Sequence, residues 1–435
     1  MAERVHNLRR DLGLKPVRVM WQASYRMGAC TSLPSHVREG TARSTMALFI
    51  KRRTAPILQI HSLPRRLIKG RVTLGRMDRA MARFDTVNGG KELVSIQYLR
   101  GFAALSVLVT HALQWPLGEM NFAFLKTGRL GVEVFFIISG FIMTMIAGDG
   151  AFRPGQFLKR RALRIVPAYW AATLLVTVLA LAMPSQFRTT IPTIEGFIKS
   201  LLFIPSLDPK APLLLLGWTL DYEAFFYLVF ASLFFLGSEV RTFVLCVLFA
   251  VLVAIGMVLN DPSHVQAFYT SMSLIGFCFG AMLAQLYRHG ILMRGVAVRR
   301  ALIVVMPILV ALYYIVPWDN ADHVALPVHL IMTFAAFSIV LLGLQIEAAG
   351  ELPRAAVLKY LGDGSYSLYL FHIFAVAAVW ALAKRLLDVQ QPLTYLTCAV
   401  VAIVVGTAFG LICHHVVERP FLNIGRQRRR AALPA

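Results

Sequence analysis

Two ionisable residues, Arg100 and His111, lie eleven positions apart in an otherwise apolar stretch of helix length, SIQYLRGFAALSVLVTHAL, from Ser95 to Leu113. At about 100° and 1.5 Å per residue, this spacing places both on one helix face, about 16 Å apart. Ionisable residues inside a membrane span are costly and usually functional. An imidazole exchanges protons near neutral pH, and a guanidinium binds anions. The pair therefore predicts a polar seam along the first span.

The next apolar segment, GVEVFFIISGFIM, carries Glu133 near its start. Because consecutive spans run in opposite directions, we expect Glu133 at about the depth of His111. A carboxylate beside an imidazole orients the ring and raises its basicity, so we expect Glu133 to support His111 as a base. The alternative is a solvated glutamate at the membrane interface. Ser139 and Gly140 form a small pair suited to close helix packing.

A basic cluster of Arg160, Arg161 and Arg164 precedes the third span, in FLKRRALRIVPAYW. The planar fork of arginine matches phosphate oxygens, so the cluster is a candidate site for a phosphorylated ligand. The alternative is an ordinary orientation signal, since cytoplasmic loops are rich in basic residues.

Two carboxylates, Asp221 and Glu223, interrupt the aromatic run GWTLDYEAFFYLVF. Each costs roughly 2.5–3.5 kcal/mol at membrane depth unless it is paired or faces water. They are about 200° apart around a helix and cannot share a face. We expect Glu223 to face a cavity, because Thr219 and Phe226 follow its stripe and Trp218 and Tyr222 do not.

A further span reads SYSLYLFHIF, in which His372 shares a face with Ser365 and Tyr369. His372 is a second-rank catalytic candidate or a hydrogen-bonded packing residue. Near the last span, we interpret His414 and His415 as interfacial, and Glu418 and Arg419 as a local ion pair at a helix end.

The elements that position these residues are predicted by composition. The 435 residues are 57% hydrophobic and 15% charged, which together with recurring long apolar runs predicts an all-α polytopic membrane protein. The net charge of +22 is assigned to basic cytoplasmic loops and not to nucleic-acid binding. The five cysteines have no CxxC spacing, so neither a metal site nor a disulfide framework is expected.

Hydropathy predicts about ten transmembrane helices, with both termini in the cytoplasm because Lys and Arg concentrate on one side of the alternating loops. The expected spans are 95–114, 132–148, 164–183, 213–236, 241–259, 267–287, 301–317, 326–344, 365–387 and 392–417. The outward loop 184–212 has five prolines and is expected to form a lid or a re-entrant element.

Three regions follow from this pattern. Residues 1–91 form a basic, disordered extension, with 18 Arg or Lys against five Asp or Glu up to residue 90. It is a lipid or partner tether, or a passive tail preceding a true start at Met77 or Met81. Residues 92–425 form the membrane domain, and residues 426–435 form a basic tail.

Taken together, these residues resemble the acyltransferase family 3 membrane proteins. The features that match are an Arg and a His with ten residues between them (Arg100, His111), an acidic residue before FFxxSGF (Glu133), and RRxxR (Arg160, Arg161, Arg164). The block from Trp218 to Phe226 and SYSLYLxH, which ends at His372, also match. The form GWTLDYEAFFY is most similar to the exopolysaccharide O-acetyltransferase branch.

The resemblance implies transfer of an acyl group, usually acetyl, from cytoplasmic acetyl-CoA to a sugar hydroxyl at the outer side of the bacterial inner membrane. The donor is then a substrate, no metal is needed, and the acceptor is a polysaccharide or a lipid-linked sugar. Arg100, Arg160, Arg161 and Arg164 would hold the donor. His111, Glu133 and Glu223 would be catalytic, with Trp218, Tyr369 and His372 second in rank. Whether His111 acts as a base or carries the acyl group stays open.

Two rival classes remain at this point. A transporter or flippase with an intramembrane proton relay also has buried charges, but favours inverted repeats and broken helices in matching halves, which the sequence lacks. A structural membrane anchor leaves the buried charges unexplained.

Overall fold

The computed structural model of the protein describes residues 93–114, 122–148, 152–187, 190–205, 213–259, 262–291, 295–317 and 326–423. These residues form helices joined by turns, with no strand among them. Nine of the described helical segments are long and apolar enough to cross a membrane. The prediction of an all-α polytopic membrane protein is therefore confirmed. The predicted extension 1–91 and tail 426–435 lie outside the described residues.

In chain order the helices are α1 (Val94–Gln114), α2 (Phe122–Ala147), α3 (Pro154–Ala182), α4 (Ile194–Leu201), α5 (Gly217–Ser232), α6 (Ser238–Val258), α7 (His264–Tyr269), α8 (Leu274–Arg288), α9 (Val296–Ile315), α10 (Leu326–Ala348), α11 (Ala356–Asp363), α12 (Ser365–Leu386) and α13 (Pro392–Cys413). A π-helical turn, His414–Glu418, continues α13. The short α7 and α8 together make one membrane-length segment.

The helix α2 begins at Phe122, whereas hydropathy places the start of this span at residue 132. Lys126 and Arg129 lower the local hydropathy, so the sequence pattern cuts off the first turns. The structure accommodates Lys126 because its ammonium donates to the carbonyls of Tyr314 at 3.0 Å and Val316 at 2.7 Å, at the end of α9. A buried cation is tolerated where backbone oxygens replace water.

The predicted span 213–236 is α-helical only in α5, which has 16 residues. At 1.5 Å per residue it is about 24 Å long, shorter than the about 30 Å hydrocarbon core. A turn precedes it, in which Gly217 N donates to Leu214 O at 2.8 Å. The helix α5 is thus a short tenth element of the described chain, packed against α2, α3, α6 and α8.

Close packing places α2 at the centre of the bundle, against α1, α8 and α10. A Cβ on Gly280 would lie 2.0 Å from the Ile137 carbonyl oxygen, and one on Gly140 would lie 2.2 Å from the Phe277 carbonyl oxygen. Only glycine permits such a backbone approach between membrane helices. The expectation that Gly140 lies at a close helix contact is confirmed. This contact fixes the positions of Glu133, Phe135 and Ser139 on α2.

Candidate active site

One end of α1 opens onto a cavity of about 90 Å³. Arg100 lies on its wall and is 7% exposed, with Nη1 donating to Gln97 Oε1 at 3.1 Å. Arg161, Arg164 and Glu223 line the same cavity, together with apolar side chains of α2. The structure therefore brings together four of the residues that sequence analysis singled out, from three different helices.

The basic cluster on α3 is divided between two cavities. Arg161 and Arg164 are three residues apart, so they share a helix face and both line the first cavity. Arg160 is exposed, donates to Gln156 Oε1 at 3.3 Å and lines a second cavity of about 250 Å³ with Arg161. The three arginines are therefore not equivalent: two face the interior and one faces outward.

Glu223 lies on the cavity wall, whereas Asp221 does not. The Glu223 carboxylate accepts hydrogen bonds from Ser139 Oγ at 3.0 Å and from the Tyr227 hydroxyl. The charge of Arg161 also lies near enough to interact with that of Glu223. Within the arginine-rich cavity, Glu223 is a fixed hydrogen-bond acceptor and a counter-charge.

At the other end of α1, His111 contacts His372 of α12. The Nδ1 atom of His111 lies 3.0 Å from Nε2 of His372, and the ring centroids are 5.2 Å apart. The Nδ1 atom of His372 lies 2.8 Å from the carbonyl oxygen of Leu368, which can only accept a hydrogen bond. In neutral rings, His372 must then accept at Nε2 and His111 must donate from Nδ1. This network leaves Nε2 of His111 as a basic nitrogen.

Glu133 and His111 are not brought together, so the predicted support of one by the other is not formed. Glu133 is 2% exposed and accepts from Thr333 Oγ1 of α10 at 2.7 Å. The neighbouring Gly131 packs on Ala103 and Ser106 of α1, about seven residues or 10 Å short of His111. The prediction failed because α2 starts ten residues earlier than hydropathy indicates, which puts Glu133 near mid-membrane.

Tyr369 separates the arginine-rich cavity from the histidine pair. Its hydroxyl lies 2.7 Å from Thr219 Oγ1, its ring lines the cavity, and the ring meets that of Phe135 edge-on at 5.8 Å. His372 follows Tyr369 by three residues, or about 4.5 Å of helix rise, on the same face. The cavity thus ends about one helical turn from the histidine pair, with the rings of Phe135 and Tyr369 between them.

Trp218 is not on the cavity wall. The Arg129 guanidinium carbon lies 5.2 Å from the centre of the Trp218 ring, a cation–π arrangement. The ring of Trp218 also meets Phe136 and Tyr222 edge-on. Trp218 therefore belongs to an aromatic cluster behind the cavity.

Glu418 is a buried hydrogen-bond acceptor, a role that sequence analysis did not assign to it. This residue is 2% exposed and accepts from His414 Nδ1 at 2.8 Å and Ser367 Oγ at 2.7 Å. The expected ion pair with Arg419 is wrong, since Arg419 is exposed and contacts His415. His414 is buried and not interfacial, because the π-helical turn sets both its side chain and that of Glu418 against α12. A glutamate four residues after a histidine at the end of an apolar run was the available signal.

A multi-helix membrane protein with an arginine-lined cavity at one end and a histidine pair about one turn beyond it has the features of a membrane-embedded group transferase. The chain belongs to the acyltransferase 3 family, whose model, described as an acyltransferase domain, matches residues 93–412. It is therefore an O-acyltransferase, and the transporter and anchor alternatives are set aside.

Three curated relatives cover most of the matched region. The chain is 34% identical over 308 residues to the exopolysaccharide production protein ExoZ of Rhizobium meliloti (strain 1021), covering 69% of this chain and 92% of that protein. It is 27% identical over 388 residues to the acyltransferase MdmB of Streptomyces mycarofaciens, covering 79% and 95%. It is 24% identical over 328 residues to the O-acetyltransferase OatA of Staphylococcus aureus (strain NCTC 8325 / PS 47), covering 67% and 51%. No solved structure matches the chain.

Proposed function

We propose that this enzyme transfers an acetyl group from cytoplasmic acetyl-CoA to a sugar hydroxyl of a surface or exopolysaccharide, in the inner membrane of a bacterium. The observation that carries the proposal is the cavity of Arg100, Arg161 and Arg164, which ends about one helical turn from His111 and His372. The similarity to ExoZ, an exopolysaccharide production protein, supports a polysaccharide acceptor.

The donor end is assigned by shape and charge. Coenzyme A has a phosphate-rich head and a long, slender arm that ends in the thioester. The arginines on the cavity wall suit the phosphates, because a guanidinium binds phosphate with paired hydrogen bonds. The apolar and tyrosine-lined interior suits the arm. The second cavity, with Arg153 and Arg160 on its wall, extends the basic surface beside the first.

The reaction is assigned to Nε2 of His111. The acceptor hydroxyl gives its proton to this nitrogen while its oxygen attacks the thioester carbonyl carbon. The carbon–sulfur bond then breaks, the sugar ester leaves, and the coenzyme A thiolate takes up the proton. His372 orients the reacting ring through Nδ1 of His111, which is the role that sequence analysis gave to Glu133. General-base assistance of this kind is typically worth 10²–10⁴ in rate.

The test is acetyl transfer in proteoliposomes, from labelled acetyl-CoA to polysaccharide prepared from a strain that lacks the gene. His111→Ala should lower transfer by about 10²–10⁴ while acetyl-CoA still binds. His415→Ala is the matched control, because His415 is exposed and contacts Tyr360 far from the pair. Normal transfer by His111→Ala would end this mechanism, and an acetyl label retained covalently on the wild-type protein would show that His111 carries the group. In cells, deletion of the gene should remove an acetyl mass from the surface polysaccharide.

A further inference from the structure

A second polar site lies between α3, α5 and residues 193–204, a segment that contains α4 and that we call the lid. Three buried side-chain oxygens lie there, namely Oη of Tyr169, Oγ1 of Thr173 and Oδ1 of Asp221. None of them has a hydrogen-bond partner in the described part of the chain. The Tyr169 hydroxyl lies near the side chains of Thr173, Asp221 and the lid residue Ser200. The Tyr169 hydroxyl therefore approaches Thr173 and Ser200 and feels the charge of Asp221, but no two of the three oxygens are in hydrogen-bonding geometry.

Burial makes this arrangement costly. Tyr169 and Thr173 have no exposed surface and Asp221 is 4% exposed. Buried polar atoms in native proteins are nearly always hydrogen-bonded, so each unpaired one calls for an explanation. A ligand with several hydroxyl groups would satisfy all three, because a carboxylate accepts and a hydroxyl both donates and accepts. A phosphate group would be repelled by Asp221, and an apolar ligand would leave the oxygens unpaired.

The lid closes the site under backbone strain. Phe203 has a φ of +56°, the one positive value at a non-glycine residue in the described ranges, and its ring stacks on Tyr169 with centroids 4.7 Å apart. Trp170 Nε1 donates to the Leu201 carbonyl at 2.9 Å, which ties the lid to α3. Strained residues of this kind concentrate at ligand clamps and switches.

The other face of the lid is apolar and exposed, with Ile194, Ile198 and Leu202 projecting away from the protein. The lid meets α3 at Tyr169 and Trp170, near the middle of that helix, so its apolar face lies against lipid and the site beneath it is within the membrane-spanning part of α3.

We propose that Tyr169, Thr173 and Asp221 bind hydroxyl groups of the acceptor sugar beneath the lid. This inference rests on the proposed function and assigns a binding site to the acceptor sugar of that reaction. The helix α3 connects the two sites, because Ile165, which lines the donor cavity and accepts from the Tyr366 hydroxyl at 2.7 Å, lies one turn before Tyr169 on the same helix face. A sugar held at Tyr169 is thus about one helical turn from the donor cavity.

The test uses Tyr169→Phe and Thr173→Val, which each remove one oxygen and keep the shape of the side chain. Removing an unpaired buried hydroxyl should leave heat stability unchanged or raise it. We expect the KM for the polysaccharide to rise about tenfold in each variant. Each substitution removes one hydrogen-bonding group of a site that binds hydroxyl groups. The affinity for acetyl-CoA should stay at the wild-type value. Asp221→Asn keeps the volume, changes the charge and should show the same KM effect.

Thr177→Val is the matched control, because the Thr177 hydroxyl donates to the Thr173 carbonyl of its own helix at 2.7 Å and lies outside the site. Its KM should equal that of the wild type. The probe is the polysaccharide from the deletion strain, with labelled acetyl-CoA as donor. If the wild-type enzyme transfers acetyl but all three variants keep its KM, the site holds only water and this inference is overturned. If the wild-type enzyme itself transfers nothing to the polysaccharide, the proposed function fails first.

Discussion

At the scale of residues, one hydrogen bond decides which atom of the histidine pair can react. The Leu368 carbonyl accepts a hydrogen bond from Nδ1–H of His372, so Nε2 of His372 must accept from His111. The backbone carbonyl thus fixes the tautomer of His372, and His372 in turn fixes the tautomer of His111. The free nitrogen of the pair is then Nε2 of His111. His372 is then a positioning residue, and its effect depends on whether its replacement can accept a hydrogen bond.

We therefore expect His372→Gln to retain more transfer than His372→Phe, because a glutamine amide oxygen can still accept from His111 Nδ1. Turnover in proteoliposomes measures the difference, and the affinity for acetyl-CoA should match the wild-type value in both. Glu133→Gln should lose less turnover than either, since its amide oxygen can still accept from Thr333 Oγ1. Equal turnover in the Gln and Phe variants would show that His372 is only a packing residue.

The division of the basic cluster gives a second prediction. Arg161→Ala and Arg164→Ala should each weaken acetyl-CoA binding about tenfold or more, because a charge-assisted hydrogen bond is worth about 1.5–3 kcal/mol. Arg160→Ala should have a smaller effect, since Arg160 is exposed outside the main cavity. Lysine at position 161 or 164 should restore part of the affinity, because the positive charge remains. The restoration should be incomplete, because the planar guanidinium fork is lost.

Equilibrium binding of acetyl-CoA to the purified variants provides the measurement. The contacts to phosphate are similar before and during reaction, so turnover at saturating donor should change less than affinity. If all three alanine variants bind like the wild type, the cluster is only an orientation signal.

The residue types at the site were predictable, and their pairing was not. A charge or imidazole in an apolar run is visible in the sequence, and placing it in the membrane costs free energy. Arg100, His111, Glu223 and His372 were found in this way. The contact of His111 with His372 joins residues 261 positions apart, and it depends on how α1 and α12 pack. Helix periodicity gives the face on which a residue lies, but not the helix that this face meets.

At the scale of elements, α2 builds the wall between the two halves of the site. Phe135 is half-buried, lines the donor cavity and meets Tyr369, while Gly140 holds the helix against α8. In the proposed mechanism, these two touching rings lie between the thioester in the cavity and the histidine pair. A wall of this kind keeps water and the acyl donor from reacting before an acceptor is in place.

Phe135→Ala should therefore raise the hydrolysis of acetyl-CoA without acceptor, relative to transfer with acceptor, because the smaller side chain opens the wall. Release of coenzyme A thiol with and without polysaccharide gives the two rates. Phe141→Leu is a control on the same helix, since Phe141 packs on Tyr287 and is not on the cavity wall. An unchanged ratio of hydrolysis to transfer would mean that the rings are only packing.

The ends of elements were predicted less well than their existence. Hydropathy located nearly every span, because an apolar run of about 20 residues is typical of a membrane-spanning helix. It misplaced the start of α2, where Lys126 is held by the carbonyls of Tyr314 and Val316, and it extended α5 beyond its 16 residues. In both places a tertiary contact or a turn, rather than local hydropathy, decides where the helix begins.

At the scale of the whole molecule, the mechanism requires the donor cavity and the lid to face opposite sides of the membrane. The helix α3 links them: it begins at Pro154, beside the arginines, and ends at Ala182, before the lid. Its 29 residues span about 43 Å, enough to cross the bilayer completely. The distribution of Lys and Arg predicts that the arginine end is cytoplasmic.

Single cysteines introduced at Lys159 and Glu195, in a chain whose native cysteines are replaced by serine or alanine, test this orientation. Both positions are exposed, Lys159 beside the basic cluster and Glu195 on the lid. A membrane-impermeant maleimide should label Glu195→Cys on intact spheroplasts, and should label Lys159→Cys only after the membrane is opened. The opposite pattern would place the arginine cavity outside, where no acetyl-CoA is made, and the chain would then need another donor. Because the two positions are near opposite ends of one membrane-length helix, labelling of both from the same side would contradict the assignment of α3 as a span.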